Sequence, residues 1–257
     1  AFPNSISFVS KNAAAFAENI FRLNNKFILI PGVRMEYLEG AAAGRIGFDT
    51  NGSSIELQNI KRSRSFIMAG IGAEYHVGGS TEFYANITQA YRPIQFANLQ
   101  APPGTDIIDP NLKDARGYNF DIGYRGKLKD ILKFDVSVFH LQYNNRVGVI
   151  STNGGANRLV TNVGNSNSKG FEGYVECMPM KLFSKDSKYD LIVFASYAYT
   201  DARYSTDHKL ASIKGKQVEN APNNIIRTGT TLGAKGFLCT AQISYVGDSF
   251  SDAKNKE

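Results

Sequence analysis

One property of this chain limits its folds more than any other. Stretches of period-two hydrophobicity are joined by connections that are short and long in strict alternation. Tyr118, Phe120, Ile122, Tyr124 and Leu128 alternate with Asn119, Asp121, Arg125 and Lys127. Successive side chains of a strand point to opposite faces, so this pattern predicts a strand with one apolar and one polar side. Ten strands are expected on this basis, at 13–23, 27–39, 65–77, 81–94, 117–128, 132–147, 168–178, 189–203, 223–234 and 237–249. Residues 13–23 are the nearest to a helical alternative. Asn24-Asn25-Lys26, Gly78-Gly79-Ser80, Lys129-Asp130-Ile131 and Lys235-Gly236 suit hairpin turns, and Met180–Lys188 is a somewhat longer one. The segments 40–64, 95–116, 148–167 and 204–222 are long. An up-and-down antiparallel sheet built this way has all its short turns at one end and all its long loops at the other. Transmembrane β-barrels have that asymmetry, and ~11 residues per strand is the length that crosses a bilayer at a tilt.

Soluble alternatives carry less of the pattern. Hairpins recur at a spacing close to that of a kelch-type propeller, ~50 residues, but a blade needs four strands and each repeat here supplies two. A β-sandwich is the other soluble option. No run approaches the ~18 apolar residues of a membrane-spanning helix. Two cysteines among 257 residues do not make a disulfide framework; three strand spacings between Cys177 and Cys239 predict free thiols on the apolar face, beside Val175 and Ala241. The net charge of +6 is scattered, with one tight cluster at Lys61-Arg62-Ser63-Arg64, and no nucleic-acid module accompanies it. His76, His140 and His208 show no metal-ligand spacing. No nucleophile elbow or phosphate loop occurs, so no enzyme is expected.

Several stretches together resemble the strands of TonB-dependent outer-membrane receptors. They are Pro31-Gly32-Val33-Arg34-Met35-Glu36, Tyr91-Arg92-Pro93, the run from Ile108 to Tyr118, Asp121 to Gly126, Asn165 to Gly173, Ser196 to Ala202, and Asn220-Ala221-Pro222. The run from Asp109 to Tyr118 and the end from Tyr245 to Asn255 are most similar to ferric dicitrate transporters of Bacteroidetes-like bacteria. The resemblance implies active uptake of a ferric chelate across the outer membrane, energised by the TonB complex through a plug domain. No cofactor is implied, since iron enters only within the cargo. It also implies contact with outer-membrane lipid and lipopolysaccharide. A vitamin or a glycan is the alternative cargo.

With short turns on the periplasmic side, both ends of the chain would lie outside the cell. The expectation is therefore that residues 1–257 are an internal piece of a larger barrel, with plug and terminal strands lying elsewhere. A ferric chelate is anionic, and arginine offers fixed charge with forked donors for carboxylates. Arg62, Arg64, Arg92 and Arg116 sit where strands meet long loops and are the candidate ligand residues. Pairing with acidic neighbours or with lipopolysaccharide phosphates is their ordinary alternative. Phe120, Ile122 and Tyr124 are expected to face lipid, and Asn119, Asp121 and Arg125 the lumen.

Overall fold

The computed structural model describes residues 5–94, 106–152, 157–183, 189–208 and 212–255. Its strands are β1 (Ser5–Glu18), β2 (Phe21–Arg22), β3 (Phe27–Phe48), β4 (Ser54–Gly78), β5 (Thr81–Arg92), β6 (Asp106–Ile108), β7 (Ala115–Leu128), β8 (Leu132–Thr152), β9 (Asn157–Cys177), β10 (Tyr189–Tyr204), β11 (Asn224–Ala234) and β12 (Phe237–Val246). One short helix, α1 (Met180–Phe183), lies in the turn before β10. The wall runs β1-β3-β4-β5-β7-β8-β9-β10-β11-β12, each strand pairing antiparallel with the next, and this open sheet is the expected up-and-down wall.

Three details correct the sequence reading. First, β3, β4, β8 and β9 have 22, 25, 21 and 21 residues, so much of the supposed loops 40–64 and 148–167 is strand. Polar and small residues there hide the alternation, yet the ladder continues well beyond bilayer height. Second, the first strand begins at Ser5 and breaks after Glu18, where Asn19 faces Pro31. Asn19 donates its N–H to the Pro31 carbonyl at 3.2 Å; Pro31 has no N–H to return, and the ladder resumes at Phe21↔Leu29. Third, β6 pairs parallel with β9 over three residues. This is a tuck of the 93–114 connection and lies off the wall.

Burial runs opposite to that of a water-soluble protein. Ile87, Phe120, Ile122 and Val138 are exposed although they lie within the sheet. On the other face Asn119, Asp121 and Arg125 are half-buried and bonded to neighbours. Arg125 Nε reaches Glu82 at 2.7 Å, and Asn86 donates to Asp121 at 2.9 Å. Tyr84 of β5 lies over Gly123 of β7 and donates to Asp135 of β8 at 2.8 Å. The glycine leaves the ring room that a Cβ would take. An apolar face is stable here because its solvent is lipid, where an Arg or Lys at mid-depth costs ~2–4 kcal/mol. Cys177 and Cys239 are free, at outward-facing positions beside Val175 and Ala241.

Among the described residues, the buried apolar clusters gather at the long-loop end. Ile150, Val163, Ala202, Tyr204, Ile213, Val218 and Ala253 form one cluster. Ile94 and Leu112, with Ile108 and Val147 against them, form another. Val147 and Ile150 have opposite parity on β8, so the extended β8–β9 hairpin is covered on both sides. These segments are stabilised by ordinary burial because they stand in water above the membrane.

Candidate functional site

The mouth of the wall is built around the neck of the 93–114 connection. The β4–β5 ladder ends at the pair Gly70↔Thr88. Beyond it the Gln89 side chain accepts the Ala69 N–H at 2.9 Å in place of a backbone carbonyl. The seam opens there, and the Tyr91 ring stacks on Phe66 at 3.7 Å between centroids. Asp114 fills the space above. It is ion-paired with Arg64, accepts the Tyr91 hydroxyl at 2.6 Å, and accepts the Ile94 N–H at 2.9 Å. Further along, Thr161 donates to Asp109 at 2.6 Å, while Lys113 and Asn162 exchange two bonds. The connection is therefore pinned across the β8–β9 hairpin.

The four arginines do not converge. Arg62 and Arg64 occupy inward positions of β4. Arg62 donates to the Leu112 carbonyl at 3.4 Å, whereas Arg64 is matched by Asp114. Arg92 lines an inward crevice with Pro93, Ala115, Tyr143, Arg146 and Val147. Arg116 pairs across from Tyr91 and Asn144, on the face that carries Tyr118, Phe120 and Ile122. Its guanidinium lies 5.6 Å from the Tyr91 ring centre, and it points away from the lumen. Arg146, an arginine near the external end that the sequence did not single out from the others there, lines the same crevice as Arg92. No periodicity shows that proximity, because a bulge between Tyr143 and Arg146 resets the register.

Arg146 also belongs to a second network. Tyr204, 2 % exposed, donates to Glu219 at 2.5 Å, and Arg146 Nε stands 3.7 Å from the same carboxylate. Burial, helped by the Glu219 carboxylate, pushes the Tyr204 hydroxyl well above the usual phenol range. In the loop beyond it, Asp207 accepts the backbone N–H groups of Ile213 and Lys214, each at 2.8 Å. The Lys214 N–H contributes most to holding that carboxyl below its ordinary range.

Among the described residues, one group could present ligand atoms to a metal. Glu74, His76 and Glu82 bring three such atoms within 4.8 Å of one another on the inward face near the short turns. The spacing rule missed them because they meet across the β4–β5 ladder. Arg125 already bonds both carboxylates, at 2.7 and 3.2 Å, and His76 Nδ1 lies 3.1 Å from Glu82. The guanidinium supplies the positive charge there, and the arrangement is that of a structural ion-pair network.

Solved structures with the same fold include the ferric-catecholate import receptor Fiu from E. coli K12, the ferric citrate transporter FecA and the siderophore receptor PiuA from Acinetobacter baumannii. The TM-scores are 0.71, 0.69 and 0.71, each at 16% identity. They cover 96%, 98% and 98% of this chain, which in turn spans 36%, 34% and 35% of theirs, about a third of each receptor. No curated protein matches the chain in sequence. The family model for the TonB dependent receptor-like β-barrel matches residues 2–257. With its antiparallel wall, lipid-facing apolar side and loop-capped mouth, the chain belongs to the TonB-dependent receptor family and forms part of an outer-membrane β-barrel.

Proposed function

We propose that the receptor to which this wall belongs imports an anionic ferric chelate, with ferric dicitrate the leading candidate. The observation that carries the reading is the placement of Arg62, Arg92 and Arg146 at the inward side of the mouth. A carboxylate-rich chelate descending past the loops meets forked donors there. Arg64 acts at one remove: its pair with Asp114 holds the loop that Arg62 touches. Arg116, on the outward face, has no part in cargo contact. Likeness in fold alone does not favour iron, since the copper transporter OprC also shares it, at 18% identity and a TM-score of 0.67; the arginines favour an anionic cargo. In this reading the plug and the segment pulled by the TonB complex lie outside residues 1–257.

The test is chelate binding to the full-length receptor in detergent, with a neutral siderophore complex as control. A charge-assisted contact contributes ~1.5–3 kcal/mol, so Arg62→Ala and Arg92→Ala should each weaken ferric dicitrate binding about tenfold or more. Arg116→Ala should leave it unchanged. Parental affinity in both inward variants would remove the arginine assignment. A parent receptor that ignores ferric dicitrate and binds the neutral complex would remove the substrate.

A further inference from the structure

Glu219 stands between two groups that both call on its carboxylate. It lies in the connection after β10, where Val218 donates its N–H to the Ala202 carbonyl and Asn220 donates to the Phe250 carbonyl, at 2.9 and 2.8 Å. The backbone is thus fixed on both sides of Glu219. Its Oε2 accepts the Tyr204 hydroxyl. Its Oε1 lies against the β8 backbone, where a Cβ on Gly148 would stand 3.3 Å from it. Arg146 Nε is 3.7 Å from that Oε1, too far for a hydrogen bond.

This gap leaves Arg146 incomplete. Its Nε is buried and has no hydrogen-bond partner among the described residues. A covered N–H without an acceptor is costly, and few native structures keep one without a use. Glu219 would satisfy it after a small advance, but the bond to Tyr204 holds the carboxylate back. Tyr204 cannot follow, since it is buried in the cluster of Val163, Ile213 and Val218. The Arg146 and Glu219 side chains are 25% and 14% exposed, so salt screens their attraction little. The other mouth arginines differ. Asp114 meets Arg64 directly, and Arg62 has a neutral carbonyl as its partner.

We infer that Glu219 is a built-in competitor for Arg146, held off by Tyr204, and that it sets how tightly the mouth holds an anionic cargo. The inference rests on the reading that Arg146 contacts the chelate. An empty mouth presents Arg146 with its Nε donor unclaimed. A cargo carboxylate that takes the guanidinium brings a second negative charge beside Glu219, and their repulsion lowers affinity. A polycarboxylate offsets that loss through Arg62 and Arg92, which a single carboxylate cannot do. Binding stays loose enough for release, the condition set on any solute that must pass onward. Tyr204 is a positioning residue: without its hydroxyl, Glu219 closes on Arg146 and withdraws it from cargo.

The experiment pairs equilibrium chelate binding with crystallography, both on the full-length receptor in detergent. Ferric dicitrate and a neutral siderophore complex are the two probes. Glu219→Gln keeps an acceptor for Tyr204 and removes the charge, so it should bind ferric dicitrate about threefold to tenfold tighter. Its binding of the neutral complex should not move. Tyr204→Phe should lose about threefold or more in ferric dicitrate affinity, yet the same change made in Glu219→Gln should have no effect. A Tyr204 that merely supports packing would weaken binding in both backgrounds. Without cargo, the Tyr204→Phe crystal structure should show Glu219 hydrogen-bonded to Arg146. Parental or weaker ferric dicitrate affinity in Glu219→Gln overturns the inference, as does a persisting gap in Tyr204→Phe. Equal losses from Tyr204→Phe in both backgrounds overturn the positioning role. Arg146→Gln separates the two readings: parental affinity there removes Arg146 from the cargo site, whatever Glu219 does. A parent that ignores ferric dicitrate overturns the cargo reading and the affinity claim with it. The crystal structure then still decides whether Tyr204 holds Glu219 off.

Discussion

Asp114 closes the neck of the 93–114 connection by accepting the backbone N–H of Ile94 at 2.9 Å. The two residues are 20 apart in sequence, and a single carboxylate joins the strand leaving the membrane to the strand returning to it. The same carboxylate pairs with Arg64 and accepts the Tyr91 hydroxyl, so three elements depend on it.

Asp114→Ala should release this loop. Both partners of the Arg64–Asp114 pair are largely covered, with side chains 17% and 16% exposed. Removing one member of such a pair costs roughly 3 kcal/mol and leaves a covered guanidinium unmatched. In the full-length receptor, amide exchange at Asp109 and Leu112 should accelerate a hundredfold or so, while the β7–β8 ladder keeps its protection. Unchanged exchange at those two amides would show that β6 and Asn162 hold the loop unaided.

Sidedness is tested by two neighbours on β5. Ile87 faces outward and Thr88 inward. Ile87→Arg should destabilise the barrel by ~2–4 kcal/mol in a bilayer, whereas Thr88→Arg should be close to neutral. Urea unfolding in lipid vesicles reads the difference, and equal effects would contradict the assignment of faces.

Gly123 is needed for the bond that crosses it. A Cβ there would meet the Tyr84 ring at 2.5 Å, so Gly123→Ala must displace the ring from Asp135. The expected loss is about 1.5–3 kcal/mol, the cost of one side-chain hydrogen bond to a charged acceptor. Tyr84→Phe should lose a similar amount, and in the double variant the two losses should not add.

The Asp207 turn should be acid-sensitive. Its folded carboxyl titrates below the ordinary range, because the Lys214 and Ile213 N–H groups favour the charged form. A depressed value contributes stability that is present above the unfolded pKa and is lost as pH falls through the folded one. The Ile213 and Lys214 amides should therefore be protected at neutral pH and lose protection only below the usual carboxylate range. Asp207→Asn should abolish that pH dependence while lowering protection throughout.

The wall was legible in the residues because lipid on one side and polar partners on the other impose strict alternation. Phe120, Ile122 and Tyr124 show it at a glance, and the glycine- and asparagine-rich hairpins set the connectivity. The upper halves of β3, β4, β8 and β9 were not legible. Above the bilayer each face can be covered by a loop, and residues such as Ala42, Gly148 and Thr161 carry no periodic signal. The mouth was legible least of all. Its arginines could be named from their place at strand ends, but parity, a bulge after Tyr143 and the opened seam above Gly70 decided which face each one serves. Arg64 finding Asp114, Arg146 finding Glu219 and Arg116 turning outward are long-range outcomes. Alternation is a local property that composition can encode, whereas the partner of a charge is settled only when strands distant in sequence lie side by side.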